Sequence, residues 1–244
     1  MGTHEDRLPR QVVQAGKYDR SRQPWPAIDW PKWPIQEPMA GTIPIRRILL
    51  VRPSALGDVC RTVPVLASLR ARWPEAEIHW VVQSGFADAI RSHPALSGVV
   101  TFPREAFRGA ALRPWRWPAI VRWLASLRRG RWDLAIDCQG LGRTGMMLWA
   151  SGARVRVGDR HARECAWLAC TTRVRPERDL HEVDRMLALS EAAGAPIVAD
   201  PTLHVDSTHG DWWLHQRLPG RYAVLATTSR WPSKAWPQDR WVEL

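Results

Sequence analysis

The sequence of 244 residues predicts an α/β fold built on a parallel, doubly wound sheet, and three observations support this prediction. First, short apolar runs alternate with segments in which apolar residues recur at helical spacing, a pattern typical of parallel sheets. Second, the stretch 45–65 passes from an apolar run through a small polar turn into a helical repeat. Third, hydrophobic residues make up 45% of the chain, an ordinary share for a globular protein.

The elements follow from these patterns in chain order. Short apolar runs, of the kind that a buried parallel strand requires, predict five strands: they lie at 46–52, 77–83, 98–102, 133–138 and 154–157. Apolar residues repeated every three or four positions predict five helices: they lie at 58–72, 85–92, 115–129, 142–151 and 182–193. Pro118 is expected to start or kink the third helix, because proline is tolerated only in the first turn.

The sequence divides into three regions of different character. Residues 1–44 contain the run from Pro24 to Pro34, rich in proline and tryptophan, and we expect them to form a disordered leader. Residues 45–205 form the predicted first domain. Residues 206–244 form a linker and the start of a second domain, with a strand at 222–228 and a helix from Pro237. One strand and a helix start cannot bury a core, so we expect the chain to end inside an incomplete second domain.

Composition limits the partners and the compartment. Lysine and arginine number 35 against 24 acids, a net charge of +11 that favours an anionic partner. No apolar run is long enough to span a membrane and the N-terminus lacks a signal-peptide core, so we expect a soluble cytoplasmic protein. The four cysteines form no Cys-x-x-Cys pair and are expected to be free thiols. There is no Asp-x-Asp pair and no Gly-x-Gly-x-x-Gly motif, and we predict neither a metal nor a cofactor.

The turn after the first strand carries the leading site hypothesis. Gly57 permits close approach to the backbone, and Asp58 places a carboxylate at the sheet edge where open α/β folds bind ligands. The alternative interpretation of Asp58 is a helix cap, a function for which Ser54 competes. The two functions are compatible. A second turn, Gln139-Gly140, ends the fourth strand at the same edge, and Gly140 and Gly142 would admit a ligand to the backbone.

Several ordered segments resemble one known family. Arg52-Pro-Ser-Ala-Leu-Gly-Asp-Val, followed by Thr62-Val-Pro-Val-Leu, is similar to the N-terminal signature of the lipopolysaccharide heptosyltransferases, glycosyltransferase family 9. The resemblance continues over roughly 200 residues, at 77–86, 133–145, 158–164, 181–185 and 226–241. It implies a GT-B architecture of two facing Rossmann-like domains, with the nucleotide-sugar held mostly by the second.

The resemblance also implies an activity and site residues. The family transfers heptose from ADP-heptose to the lipopolysaccharide inner core with inversion, which assigns Asp58 as the catalytic base. Lys234, which follows the strand end at Thr227-Thr228-Ser229, is the candidate for binding the donor diphosphate, and the hydroxyls and amides of these three residues could also hold phosphate oxygens. Arg143 stands where the family usually has lysine. The predicted acceptor-binding residues are Ser54, Gly57, Gln139, Gly140 and Arg143.

The implied acceptor is an anionic, lipid A-type molecule. The stretch from Arg104 to Arg131 holds eight arginines and one acid, with Trp115, Trp117 and Trp123 interleaved, and would suit peripheral contact with the inner membrane. Charge runs are also often no more than solvated surfaces. The alternative function is a noncatalytic, truncated remnant that binds anionic glycolipid. Nucleic acid is not an expected partner, because no nucleic-acid-binding motif accompanies the charge.

Overall fold

The computed structural model describes residues 44–109, 113–177, 179–204 and 235–242. The chain divides into two units, Met1–Val205 and Asp206–Leu244. In the second unit, the described residues contain a short helix, Gln238–Val242, and the ring of its Trp241 meets that of the preceding Trp236 edge to face. The predicted leader and the predicted strand 222–228 lie outside the described residues.

The described part of the first unit contains one six-stranded sheet in which every neighbouring pair is parallel. This confirms the predicted α/β fold with a parallel sheet. The strand order is β3-β2-β1-β4-β5-β6, so the order reverses between β1 and β4. The strands are β1 Arg47–Val51, β2 Glu77–Gln83, β3 Gly98–Phe102, β4 Leu134–Asp137, β5 Val155–Asp159 and β6 Thr172–Val174.

Helices cover both faces of the sheet. Within the described ranges, three 3-10 turns, Ser84–Ala89, Pro114–Arg116 and Ala166–Ala169, add to them. The helices are α1 Leu56–Arg61, α2 Val63–Arg72, α3 Arg104–Phe107, α4 Trp117–Arg128, α5 Gly142–Ala150, α6 Glu182–Ala192 and, in the second unit, α7 Gln238–Val242. Pro118 occupies the first turn of α4, as the sequence predicts.

The described residues form two apolar cores, one on each face of the sheet. On one face α1, α2 and α6 pack against Ile48, Leu50 and Ile78 of the sheet. On the other, Leu127 of α4 and Met147 of α5 pack against the remaining strand residues. Because the central strands β1 and β4 are buried on both faces, they appear in sequence as continuous apolar runs.

Two predicted helices differ from the structure, and one edge strand was not predicted. The predicted helix 58–72 is two helices, because Pro64 has no N–H to donate to the carbonyl of Cys60 and the chain turns at Thr62. The predicted helix 85–92 is the shorter 3-10 turn Ser84–Ala89. The edge strand β6 was not predicted, because its three residues are exposed or half-buried and form no apolar run.

Candidate functional site

The candidate site lies where β1 and β4 end side by side. Val51, the last residue of β1, pairs with Asp137, the last residue of β4. The strand order reverses between these two strands, and in open α/β sheets such a reversal opens a crevice at the carboxyl ends of the strands. The two predicted turns, the one holding Asp58 and the one holding Gln139, therefore leave the sheet at the same place.

Arg52, the first residue after β1, is the centre of the charged network at this edge. It is 5% exposed, and its guanidinium donates to the carbonyl of Cys138. The same group lies 3.2 Å from Oδ2 of Asp58 and 3.4 Å from Oε1 of Glu182. The indole of the fully buried Trp80 donates to the carbonyl of Arg52 at 3.3 Å. One buried cation therefore holds the ends of β1 and β4, helix α1 and helix α6 together.

We expect Arg52→Met to lower the free energy of unfolding by about 1.5–3 kcal/mol, the usual contribution of hydrogen bonds that involve a charged group. The variant removes the donor of the Cys138 carbonyl and the cation between two carboxylates. Urea denaturation measures the change, with the exposed Arg129→Met as the matched control. A loss no larger than in the control would show that the network does not hold these elements together.

Asp58 sits in the first turn of α1, with about a third of its side chain exposed. Its Oδ2 lies 3.5 Å from the backbone nitrogen of Ala55, the N-cap residue, and Arg61 approaches its other oxygen to 3.9 Å. The carboxylate thus contacts the helix start and also reaches solvent at the crevice. Gly57 beside it is exposed, with open space where a side chain would stand.

Ser54 does not cap α1. Its hydroxyl instead accepts a hydrogen bond at 3.4 Å from the side-chain nitrogen of Gln139. The structure therefore brings together two of the residues predicted to bind the acceptor, one from each strand end. The amide oxygen of Gln139 is buried and has no hydrogen-bond partner among the described residues.

Asp137 shapes the turn that carries Gln139. Its Oδ1 accepts from the backbone N–H groups of Gln139 at 2.9 Å and Gly140 at 3.1 Å, and its Oδ2 accepts from the Thr144 hydroxyl at 2.8 Å. Burial raises the pKa of Asp137, against the opposing effect of these hydrogen bonds. Gly140 has a φ of +66°, a conformation that other residues rarely adopt, and Ala162 lies against it.

A pocket of about 340 Å³ opens beside this turn, between the ends of β4 and β5 and the first turns of α6. Gln139, Arg163 and Glu182 contribute polar walls, and Met186 and Leu189 an apolar one. The backbone N–H of Arg163 donates to the carbonyl of Gly140 at 2.9 Å. Because Glu182 also contacts Arg52, the pocket is separated from Asp58 by that guanidinium.

The charges of the pocket are partly paired. Arg185 forms a 2.5 Å ion pair with Asp159 and approaches Glu182 to 4.0 Å. The exposed Arg163 has no carboxylate within ion-pairing distance among the residues that the structure describes. Of the described arginines that line the pocket, Arg163 is therefore the one left to meet an anionic ligand.

Gly142 and Arg143, which the sequence also places at this site, do not face the pocket as Gln139 and Gly140 do. Gly142 does not offer its backbone to a ligand, because Glu164 fills the space and accepts its N–H at 2.9 Å. Arg143 is half-buried in the first turn of α5, is absent from the pocket lining, and its Nε has no partner in the described ranges. The predicted donor residues Thr227, Thr228, Ser229 and Lys234 lie outside the described residues.

The described residues also bear on metal binding and on membrane insertion. Among the described residues, no group of three or more histidine, cysteine, aspartate or glutamate side chains is arranged to hold a metal ion. Cys60, Cys138, Cys165 and Cys170 are all free. None of the helices in the described ranges is both long and apolar enough to cross a membrane.

Sequence reasoning missed four residues of this network: Arg52, Asp137, Glu182 and Arg163. The available signal for two of them was a charged residue placed directly at the end of an apolar strand, as Arg52 and Asp137 are. The contact of Arg52 with Glu182 joins residues 130 positions apart and has no local signal.

Comparison with known proteins gives a consistent result. The sequence model of glycosyltransferase family 9 (heptosyltransferase) matches residues 120–244. Lipopolysaccharide heptosyltransferase 1 of Pseudomonas aeruginosa is 31% identical over 216 residues, which cover 81% of this chain and 56% of that protein. The Escherichia coli K12 protein of the same name is 28% identical over 219 residues, covering 81% of this chain and 63% of that protein.

A solved structure agrees with these relatives. The E. coli heptosyltransferase WaaC with ADP-2-deoxy-2-fluoro heptose superposes with a TM-score of 0.64 at 26% identity, over 81% of this chain and 64% of that one. The chain spans between half and two thirds of the length of these relatives. Since the family match covers just over half of the sequence, the chain belongs to glycosyltransferase family 9, the heptosyltransferase family.

Proposed function

We propose that this protein transfers heptose from ADP-heptose to the inner core of lipopolysaccharide, with inversion and with Asp58 as the general base. The observation that carries the proposal is the position of Asp58: a partly exposed carboxylate at the crevice between β1 and β4, held by Arg52. Two relatives are named lipopolysaccharide heptosyltransferase 1, and the related E. coli enzyme was solved with an ADP-heptose analogue.

One carboxylate is enough for this reaction. As the acceptor hydroxyl attacks the anomeric carbon of the heptose, its proton passes to Asp58 and the bond from that carbon to the ADP oxygen breaks. Attack from the side opposite the leaving ADP inverts the configuration. Arg52 fixes the position of the carboxylate, and this geometric constraint is its part in the reaction. Lys234 and the hydroxyls of Thr227, Thr228 and Ser229 are proposed to bind the departing diphosphate.

The acceptor is proposed to reach from the pocket that Gln139 and Arg163 line, past the Arg52 guanidinium, to the carboxylate of Asp58. An acidic sugar of a lipid A-type acceptor would place its carboxylate at Arg163, the cation there without an ion-pair partner among the described residues. Gln139, which lines the pocket and whose amide oxygen has no hydrogen-bond partner among the described residues, is the proposed contact for the hydroxyls of the acceptor. Ser54 orients Gln139, and exposed Gly57 leaves room for the sugar next to the base. Arg143 stays a candidate contact for a more distant part of the acceptor.

Because the acceptor is a lipid, we propose that the protein works in the cytoplasm with peripheral contact to the inner membrane. The basic stretch Arg104–Arg131 supports this. Transfer is tested by incubating the protein with ADP-heptose and a lipid A acceptor that carries acidic sugars but no heptose. The assay uses the 244-residue chain and, in parallel, the same chain extended by the part of the Pseudomonas aeruginosa relative that it does not match. Binding of the acceptor without transfer by either protein would favour a noncatalytic glycolipid-binding module.

The Arg163 assignment has its own test. We expect Arg163→Ala to raise the acceptor KM about tenfold or more with little change in kcat, because a charge-assisted hydrogen bond to the bound acceptor is lost. The matched control is Arg160→Ala, an exposed arginine nearby that does not line the pocket. An acceptor KM unchanged from the control would remove the acidic sugar from this pocket.

A further inference from the structure

The outer surface of one helical layer exposes an unusual set of large apolar side chains. Val121 of α4, Met146 and Trp149 of α5 and Leu168 of the 3-10 turn Ala166–Ala169 are all exposed. Trp149 is 67% exposed and Leu168 61%, so most of each side chain contacts water. Trp115, just before α4, is 71% exposed. Single exposed apolar residues are common, but several on one surface indicate an interaction site.

These side chains share one surface because their elements lie side by side. Helix α5 packs against α4 on one side and against the Ala166–Ala169 turn on the other. The backbone of Gly145 approaches Ala166 so closely that a methyl group would collide with it. The inward sides of the same elements bury Leu127, Met147 and Ala169 in the core. The exposed residues therefore point away from the sheet on the opposite side of this layer.

The charge of this surface selects the kind of partner. Neither α4, α5 nor the two 3-10 turns beside them contain an acidic residue. Exposed arginines lie on or next to α4, at 113, 122, 128 and 129. Exposed tryptophan surrounded by arginine is the combination that favours the headgroup region of an anionic bilayer, where indole rings are enriched and each basic residue adds attraction.

We propose that this surface, the α4–α5 face, is a docking site for an anionic lipid bilayer. Trp149, Leu168, Met146 and Val121 would enter the headgroup region while the arginines bind lipid phosphates. Helix α5 begins immediately after the Gln139-Gly140 turn, so a protein docked by this face holds the candidate site close to the membrane surface. The inference extends the proposed function by naming the surface, and it rests on that function only for the identity of the lipid acceptor.

Sedimentation with vesicles tests the proposal on the 244-residue chain, without donor or acceptor. The chain is expected to co-sediment with vesicles of phosphatidylcholine mixed with phosphatidylglycerol, to bind pure phosphatidylcholine weakly, and to dissociate as salt is raised. The double variant Trp149→Ser with Leu168→Ser should bind the anionic vesicles at least about tenfold more weakly than the wild type, because two large apolar contacts are lost. Trp149→Phe with Leu168→Met should restore binding.

The controls separate the face from the rest of the chain. Leu203→Ser and Arg91→Gln change exposed residues elsewhere in the first unit and should leave binding unchanged. Thermal unfolding, followed by circular dichroism, verifies that each variant is folded. Arg122→Gln with Arg129→Gln should weaken binding to the anionic vesicles and not to pure phosphatidylcholine.

Several results would overturn the proposal. One is failure of the chain to bind anionic vesicles. Another is binding by the serine double variant that equals that of the wild type. A third is a wild type that is dimeric and a serine double variant that is monomeric but still binds vesicles. The last result would assign the face to self-association. Vesicle binding without heptose transfer would count against the proposed function alone, and transfer to a detergent-dispersed acceptor without vesicle binding would count against the docking face alone.

Discussion

Asp58→Asn is expected to lower the rate of heptose transfer by about 10²–10⁴-fold, the usual effect of losing a general base. The amide keeps the shape of the carboxylate and its oxygen near the backbone nitrogen of Ala55, but it cannot accept the acceptor proton. The fold should persist, because the side chain is partly exposed and Arg52 keeps its bonds to Cys138 and Glu182. The melting temperature is therefore expected to change little.

The matched control is Asp88→Asn. It also removes a carboxylate that forms an ion pair with an arginine three residues later in the chain, Arg91. It lies in the 3-10 turn after β2 and is absent from the pocket lining. Both variants are measured as initial rates of heptose incorporation into the acceptor by mass spectrometry, in whichever of the two proteins transfers faster. Transfer by Asp58→Asn within a few-fold of the control would remove Asp58 from the base function.

Asp137→Ala is expected to lower the free energy of unfolding by about 2–4 kcal/mol. The change leaves the N–H groups of Gln139 and Gly140 without their acceptor in a buried turn, and it frees the Thr144 hydroxyl that fixes the start of α5. Asp137→Asn keeps one acceptor oxygen for the two N–H groups and should cost less. Urea denaturation compares both variants with Asp133→Asn, whose carboxylate accepts from Arg46 and Arg47 at the opposite edge of the sheet.

The pH dependence of stability provides a second measurement on Asp137. Burial raises its pKa above the ordinary value of 3.8, so the folded state binds the proton more tightly than the unfolded state. The stabilisation from this group is complete below pH 3.8 and is lost as the pH rises through the raised pKa. Between pH 3.8 and the raised pKa of Asp137, the wild type should therefore lose unfolding free energy relative to Asp137→Asn as the pH rises. If the difference in unfolding free energy between the two proteins does not depend on pH, the pKa of Asp137 is not raised by folding.

The fold was largely predictable, because its information is local. Strands β1 and β4 are buried on both faces, β2 and β5 are largely buried, and all four, like the half-buried β3, appear in the sequence as runs rich in apolar residues. β6 lies at an edge with half-exposed residues and gives no such signal. The division of the first predicted helix follows from Pro64, a local signal that the apolar repeat on both sides of it obscured.

The candidate site was predictable only in part. Asp58, Gln139 and Gly140 follow strand ends that a parallel sheet must bring to one edge, so their proximity could be inferred. The partners of Arg52 could not, because its ion pair with Glu182 depends on how α6 packs across the sheet. Gly142 was expected to admit a ligand to its backbone, and only the structure shows that Glu164 occupies this space. The roles of Ser54, Gly57, Arg143 and the donor residues stay predictions.

The configuration of the product tests the central claim most directly. ADP-heptose and the heptose-free acceptor are incubated with the 244-residue chain and with its extended form, and the product is examined by mass spectrometry and NMR. We predict that the acceptor gains one heptose for each ADP released and that the configuration at the anomeric carbon is inverted relative to the donor. A retained configuration would contradict the account, because a single carboxylate base at Asp58 cannot produce it. Release of ADP together with free heptose, and no heptose on the acceptor, would contradict the assignment of the acceptor site.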